Sequence, residues 1–280
     1  MTLVGGRGML VAARDGGYAI PAFNVFNLEM VQAALGAAEA ERSPVVIQVS
    51  PRTASYAGLK TIAAITRSLA AECAVPVALH LDHGPNLAAV EDALAAGFTS
   101  VMYDGADLPF AENVARTVAV VAAAYAAGAS AEAELGQVGD VGDAAPVDGF
   151  TDPEEARRFV AETGVDALAV SIGTVHGMRE TGARLDIDRI ALLREAAGVP
   201  LVMHGSSGVD DETLGMAIRA GITKVNLSTM LQREFMNALR ASAILPGHET
   251  DARAVLGDAR DAVIAAARRR IGVLGSGGKA

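Results

Sequence analysis

The chain has 280 residues, of which 51% are hydrophobic, 20% charged and 4% aromatic, with no tryptophan. That balance excludes an intrinsically disordered chain, which needs low hydrophobicity and dense charge. The net charge of −10 lacks the basic footprint that nucleic acid or an anionic membrane requires, so neither is expected as a partner. A single cysteine, Cys73, permits no intrachain disulfide and fits a reducing, cytoplasmic setting. The amino-terminal segment mixes acidic and basic residues without a long apolar core, so no signal peptide is expected. The longest apolar run, 118–129, falls short of the roughly 20 residues a membrane-spanning helix needs.

In chain order, short β-branched runs alternate with helical stretches. AIPAFNV (19–25) precedes a helix over 28–42, VVIQVS (45–50) a helix near 58–73, PVALHLD (76–82) one over 86–96, and SVMYDG (100–105) one over 109–127. SAEAEL (130–135) leads through a Gly/Asp loop to a helix over 153–163, ALAVSI (167–172) to 186–197, PLVMHG (200–205) to 210–220, and KVNLS (224–228) to 229–242. Pro44, Pro76 and Pro200 stand just before strands, and Gly97, Gly128, Gly164, Gly198 and Gly221 just past helices. Glycine in that place supplies the left-handed backbone that ends a helix. Thr151 and Asp210 are expected N-caps.

Eight strand–helix units in one series predict an α/β chain folded as a (β/α)8 TIM barrel. An open, doubly wound sheet would want a Gly-rich first turn, which is missing. No linker divides the sequence, so one domain over 1–280 is expected, with an extra C-terminal helix over 251–271 and a frayed GSGGKA end.

Active residues of such barrels collect at the C-terminal ends of the strands. The sequence places Asn24, Ser50, Asp82, His83, Asp104, Glu134, His176, the run His204-Gly205-Ser206-Ser207-Gly208 and the run Asn226-Leu227-Ser228-Thr229 there. Three imidazoles at one rim, His83, His176 and His204, suit Zn2+ or a similar divalent ion with a position left open. Any one of them alone reads first as a hydrogen-bonded strand end; three at the same rim favour the metal instead. Asp82 is either a general acid/base or a group that orients a histidine. Asp104 and Glu134 are either a further cation position or rim ion pairs and caps. His80, two residues before Asp82, is read as structural, and His248, in a Pro-Gly loop, as exposed. Turns after strands seven and eight are where backbone N–H groups and hydroxyls bind phosphate in barrels, and GSSG and NLST fall there.

The motifs PAFNVFN (21–27), QVSP (48–51), YAG (56–58), LHLDHG (79–84), VMYDG (101–105), LPFAEN (108–113), EAELGQVG (132–139), IGTVHG (172–177), HGSSG (204–208) and KVNLST (224–229) run almost end to end. Together they resemble the class II, metal-dependent ketose-bisphosphate aldolases, a family that includes fructose-1,6-bisphosphate and tagatose-1,6-bisphosphate aldolases. The resemblance implies reversible, zinc-dependent cleavage of a phosphorylated ketose to dihydroxyacetone phosphate and an aldehyde. It implies zinc on His83, His176 and His204, with Co2+ or Fe2+ suited to the same ligands, and a second divalent or monovalent cation at Asp104 and Glu134. Asp82 would be the proton donor to the aldehyde oxygen. Gly177, the Gly205-Ser206-Ser207 turn and Asn226, Leu227, Ser228 and Thr229 would bind the dihydroxyacetone phosphate half, with Asn24 and Ser50 as further substrate contacts. A homodimer or homotetramer is implied as well.

The sequence departs from the family in three places. Many members carry a glutamate in the loop after strand five where this chain has Gly142, so Asp143 or Asp140 is expected to act as the base at carbon three, with Asp143 preferred. A tyrosine and a lysine often follow the second histidine, where this chain has Met178-Arg179-Glu180; Arg179 reads as a phosphate contact or as a solvated residue. DGAD (104–107) replaces a DGS-type sequence. Arg52, or an arginine of the last helix, is read as the partner of a second phosphate. The departures keep open a class II retro-aldolase for a deoxy sugar-acid or sulfosugar phosphate, and a non-catalytic sugar-phosphate-binding homologue. A Schiff-base aldolase would need a pocket lysine; of Lys60, Lys224 and Lys279, Lys224 alone lies in a strand.

Overall fold

The structure is a computed structural model that describes residues 3–139, 141, 149–178, 180–248 and 250–280. It opens with a helix, α1 (Gly6–Gly16), followed by β1 (Ile20–Asn24), α2 (Leu28–Glu41), β2 (Val45–Val49), α3 (Pro51–Ala57), α4 (Leu59–Ala70), β3 (Val77–Gly84) and α5 (Leu87–Ala95). The series continues through β4 (Ser100–Tyr103), α6 (Phe110–Ala126), β5 (Ser130–Leu135), α7 (Pro153–Thr163), β6 (Ala167–Val170) and α8 (Ile187–Ala197). It ends with β7 (Leu201–Met203), α9 (Asp211–Ala220), β8 (Ile222–Leu227), α10 (Thr229–Ser242) and α11 (Ala252–Leu274). The strands pair in sequence order and β8 returns to β1, closing a barrel in which every pair is parallel. The expected (β/α)8 architecture and the extra C-terminal helix are both present.

Local chemistry sets the boundaries. Asn27, Asn86, Asp186 and Asp210 each accept a backbone N–H of the helix they precede, satisfying donors that the first turn otherwise leaves orphaned. Thr151 is not the cap of α7. Asp152 takes that place, accepting from Glu154 and Glu155 N–H. Thr151 is committed elsewhere: its Oγ1 donates to Leu135 O and accepts from Ser171 N–H, tying the ends of β5 and β6 together. β7 stops earlier than expected because Gly205 turns left-handed at φ 63°. A side chain there would meet Val175 backbone at 2.8 Å, so the position tolerates glycine only.

Outward-facing strand residues such as Phe23, Ile47, Leu79, Val101 and Leu168 pack against the ring of helices. Inward-facing Ile20, Ala22, Val46, Ala78, Met102, Ala167, Ala169 and Val202 join Met9, Leu10 and Ala13 of α1. Thus α1 plugs the N-terminal end of the barrel with an apolar face. The carboxyl end is not frayed. Ser276 is fully buried, Ser43 Oγ donates to Ser276 Oγ at 2.8 Å, and Gly278 and Ala280 N–H donate to Glu41 and Arg42 O. His248 is not simply exposed either: its Nδ1 lies 2.9 Å from Ser242 Oγ, and Asp258 is close by. No helix among the described residues is long and apolar enough to cross a membrane.

Candidate active site

Successive residues of a strand normally point to opposite faces, yet Asp82 and His83 both reach the same cavity. The reason is local. β3 shifts register against β4 between Leu81 and Gly84, and His83 adopts φ 51°. A left-handed conformation is costly for a residue with a Cβ, about 1–3 kcal/mol, and such strain clusters at functional sites. Gly84 makes the bulge feasible, because a Cβ there would collide with Met102 O.

The cavity, about 750 Å³, opens at the C-terminal rim. Asn24, Ser50, Asp82, His83, Asp104, Glu134, His176, Gly177, Gly205, Ser206, Ser207, Asn226, Ser228 and Thr229 line it, together with Arg52, Val138 and Gln232. His204 is fully buried, with its ring centroid 4.6 Å from that of His83 and 5.8 Å from that of His176. Leu227 does not face the cavity; it is buried with the apolar residues at the end of β8. Asp140, Gly142, Asp143 and Arg179 lie outside the described residues.

Asp82 is held at both oxygens. Asn24 Nδ2 donates to Oδ2 at 2.7 Å and Asn226 Nδ2 to Oδ1 at 3.1 Å. Gln48 Nε2 in turn donates to Asn24 Oδ1 at 2.7 Å. Burial opposes ionisation of Asp82, but the His83 imidazolium, the Lys224 ammonium and the Asn24 hydrogen bond outweigh it and hold the carboxyl below its usual range. Asp104 Oδ2 lies 2.7 Å from His83 Nδ1. Burial would depress His83, yet Asp82, the Asp104 hydrogen bond and Glu134 push its pKa up to about 10. Burial, reinforced by the charge of Asp104, pushes Glu134 up to about 8. Burial, with His83 next, pushes His204 well down, so its imidazole is neutral.

These residues fit a divalent cation. His83, His176 and His204 offer ligand atoms within 4.8 Å of one another, and so do His83, Asp104 and Glu134. Two buried atoms, His204 Nδ1 and Glu134 Oε2, have no hydrogen-bond partner although they stand 3.4 Å apart. Buried polar atoms rarely go unsatisfied, and both belong to these ligand groups. The excess of carboxylates over fixed cations points the same way.

Sequence reasoning missed Gln48 and Glu132. Both sit two residues before a rim residue, Ser50 and Glu134, and so share its inward face; that spacing was the available signal. Lys224 was noticed, but it is 1% exposed and paired with Glu132 at 2.8 Å, so it is not presented to a substrate carbonyl as a Schiff-base lysine must be.

The family model for class II fructose-bisphosphate aldolase matches residues 4–279. Among solved structures, the YdjI aldolase from Escherichia coli K12 superposes with a TM-score of 0.90 at 33% identity, covering 100% of both chains. A candidate fructose-1,6-bisphosphate aldolase from Coccidioides immitis gives 0.87 at 33% identity, covering 98% of this chain and 97% of that one. Fructose-bisphosphate aldolase from Campylobacter jejuni shares the fold with a TM-score of 0.87 at 24% identity, covering 100% of this chain and 97% of that one. The fold, the rim and these matches define an aldolase, a carbon–carbon lyase of metal-dependent type. The chain belongs to the class II fructose-bisphosphate aldolase family.

Proposed function

We propose that this aldolase cleaves a phosphorylated ketose of the fructose- or tagatose-1,6-bisphosphate type, reversibly, to dihydroxyacetone phosphate and an aldehyde. The observation that carries the reading is the pairing of a three-imidazole ligand group with a carboxylate, Asp82, fixed at both oxygens beside it. His83, His176 and His204 would hold zinc, with cobalt or iron as alternatives, and Asp104 and Glu134 a second cation. When bound, the metal supplies Lewis-acid polarisation of the ketose carbonyl and stabilises the charge that develops there.

The protein's own groups account for the rest. Asp82, kept ionised, takes the proton of the carbon-four hydroxyl in cleavage and returns it to the aldehyde oxygen in condensation. Asn24 and Asn226 fix its orientation, so its distance to that proton does not depend on a free rotor. The phosphate is assigned to the turn at Gly205-Ser206-Ser207 and to Ser228 and Thr229. Ser206 Oγ donates to Asn226 O at 2.5 Å, which ties the two turns together. No side chain caps the first turn of α10, which suits its amides to an anion. Gly177, which lines the same cavity, is assigned to the dihydroxyacetone phosphate half as well. Asp143 is proposed as the base at carbon three and Arg179 as a phosphate contact, on sequence alone. The assembly is proposed to be a homodimer or homotetramer in the cytoplasm.

A coupled assay for dihydroxyacetone phosphate, run over fructose-1,6-bisphosphate, tagatose-1,6-bisphosphate and ketose monophosphates with EDTA and zinc-readdition controls, tests this. Zinc-dependent release from a bisphosphate supports the reading. Release only from another ketose phosphate moves the substrate to the sugar-acid or sulfosugar class. No release from any, with metal bound, supports a binding homologue.

A further inference from the structure

Below the imidazoles the barrel interior holds a charged cluster to which the chemistry proposed above assigns no substrate contact and no proton transfer. Glu132 from β5 and Lys224 from β8 meet there, both almost wholly buried. Lys224 Nζ donates to Glu132 Oε2 at 2.8 Å and lies 3.4 Å from His80 Nε2. An ammonium has donors only, so His80 Nε2 accepts, and its Nδ1–H donates to Ser100 Oγ at 2.8 Å. His80 is thus a structural partner of the lysine.

The second Glu132 oxygen, Oε1, lies 3.3 Å from His204 Nε2. An ionised carboxylate only accepts, so Nε2 carries the proton. A neutral imidazole has one N–H, which leaves Nδ1 bare. That Nδ1 is the buried atom without a hydrogen-bond partner in the ligand group. Stability alone is a weak reason for such a cluster, because desolvation offsets most of the attraction within a buried ion pair.

We infer that Glu132 is a positioning residue for the metal centre: it fixes His204 as the Nε2–H tautomer and aims the bare Nδ1 at the ligand position shared with His83 and His176, while Lys224 anchors Glu132. The inference rests on the metal-dependent reading above. A carboxylate behind a ligating histidine fixes its ring and tautomer, and losing it costs about 10–100-fold in metal affinity.

The test uses the full chain, metal-free and loaded with Co2+. Glu132→Gln removes the anionic acceptor. Glu132→Gln/Lys224→Met removes both charges, so no ammonium is left buried and unpaired. Both variants are expected to bind Co2+ about 10–100-fold more weakly by chelator competition and to alter its visible absorption spectrum. Wild-type affinity and an unchanged spectrum in the double variant would overturn the inference and reduce Glu132 to a packing partner of Lys224.

A second arm needs neither variant to fold. Long-range 1H–15N correlation of the metal-free wild type, with His204 assigned by its loss in His204→Gln, should show an Nε2–H imidazole. An Nδ1–H pattern would overturn the inference. A wild type that binds no Co2+ counts against the metal-dependent reading instead, and the tautomer then decides the role of Glu132.

Discussion

The two ends of this barrel are built from the same eight strands and have opposite characters. At the N-terminal end, Met9, Leu10 and Ala13 of α1 close the interior against Ile20, Ala22 and Val46. At the C-terminal end the strands finish in Asn24, Asp82, His83, Asp104, Glu134 and Asn226 around an open cavity. One end buries apolar area and stabilises the fold. The other holds a left-handed histidine and a buried carboxylate, Glu134, whose pKa is raised, and both cost stability at neutral pH. The division shows that strand polarity, more than composition, decides where this chain tolerates strain.

Substitutions at the two ends should therefore separate activity from stability. Asp82→Asn is expected to give the largest catalytic effect, roughly a 100- to 10,000-fold loss in kcat. Metal content by elemental analysis should stay at the wild-type level; loss of the metal would mean that Asp82 is a ligand.

Metal entry should be strongly pH-dependent. In the metal-free protein His83 is held up to about 10 and Glu134 to about 8, so both carry protons at neutral pH. Ligands must be bare to bind, so loading expels those protons and apparent affinity rises with pH, about tenfold per unit for each proton released. Titration calorimetry in buffers of differing ionisation enthalpy reads the number released. An affinity that does not change between acidic and mildly alkaline buffer would refute the assignment.

A smaller effect is expected from Asn24→Ala. It leaves Asp82 with Asn226 alone and should lower kcat by about tenfold, of the order of one charged hydrogen bond, while the KM for substrate moves less. A larger change in KM than in kcat would make Asn24 a substrate contact instead of an orienting group.

Leu10→Ala marks the other end of the comparison. The side chain is buried under the barrel, and its truncation should cost about 2–5 kcal/mol of stability with kcat unchanged at a temperature where the variant is folded. Denaturant unfolding and a parallel rate measurement check both halves.

Much of this was legible in the sequence. Proline before a strand or glycine after a helix marked each of the seven junctions between the eight units, and polar residues at strand ends marked the rim. What stayed hidden depended on partners distant in sequence. α1 was not read, because Gly5, Gly6 and Gly8 argue against a helix; packing of Met9 and Leu10 inside the barrel offsets that low propensity. The GSGGKA tail looked frayed because its anchors, Ser43, Glu41 and Arg42, lie more than two hundred residues away. Thr151 resembled a cap until Leu135 and Ser171 claimed its hydroxyl. Leu227 sits within the NLST motif yet packs outward against the helices, since the strand alternation carries through to the end of β8.

The central claim is that catalysis depends on a metal at the three histidines. It is tested most directly by stripping the protein, titrating Zn2+ back and following aldol cleavage against bound metal. The account predicts negligible cleavage in the stripped protein and activity that rises in proportion to occupancy, saturating at about one catalytic ion per chain. Full activity in protein shown to be free of metal would contradict it.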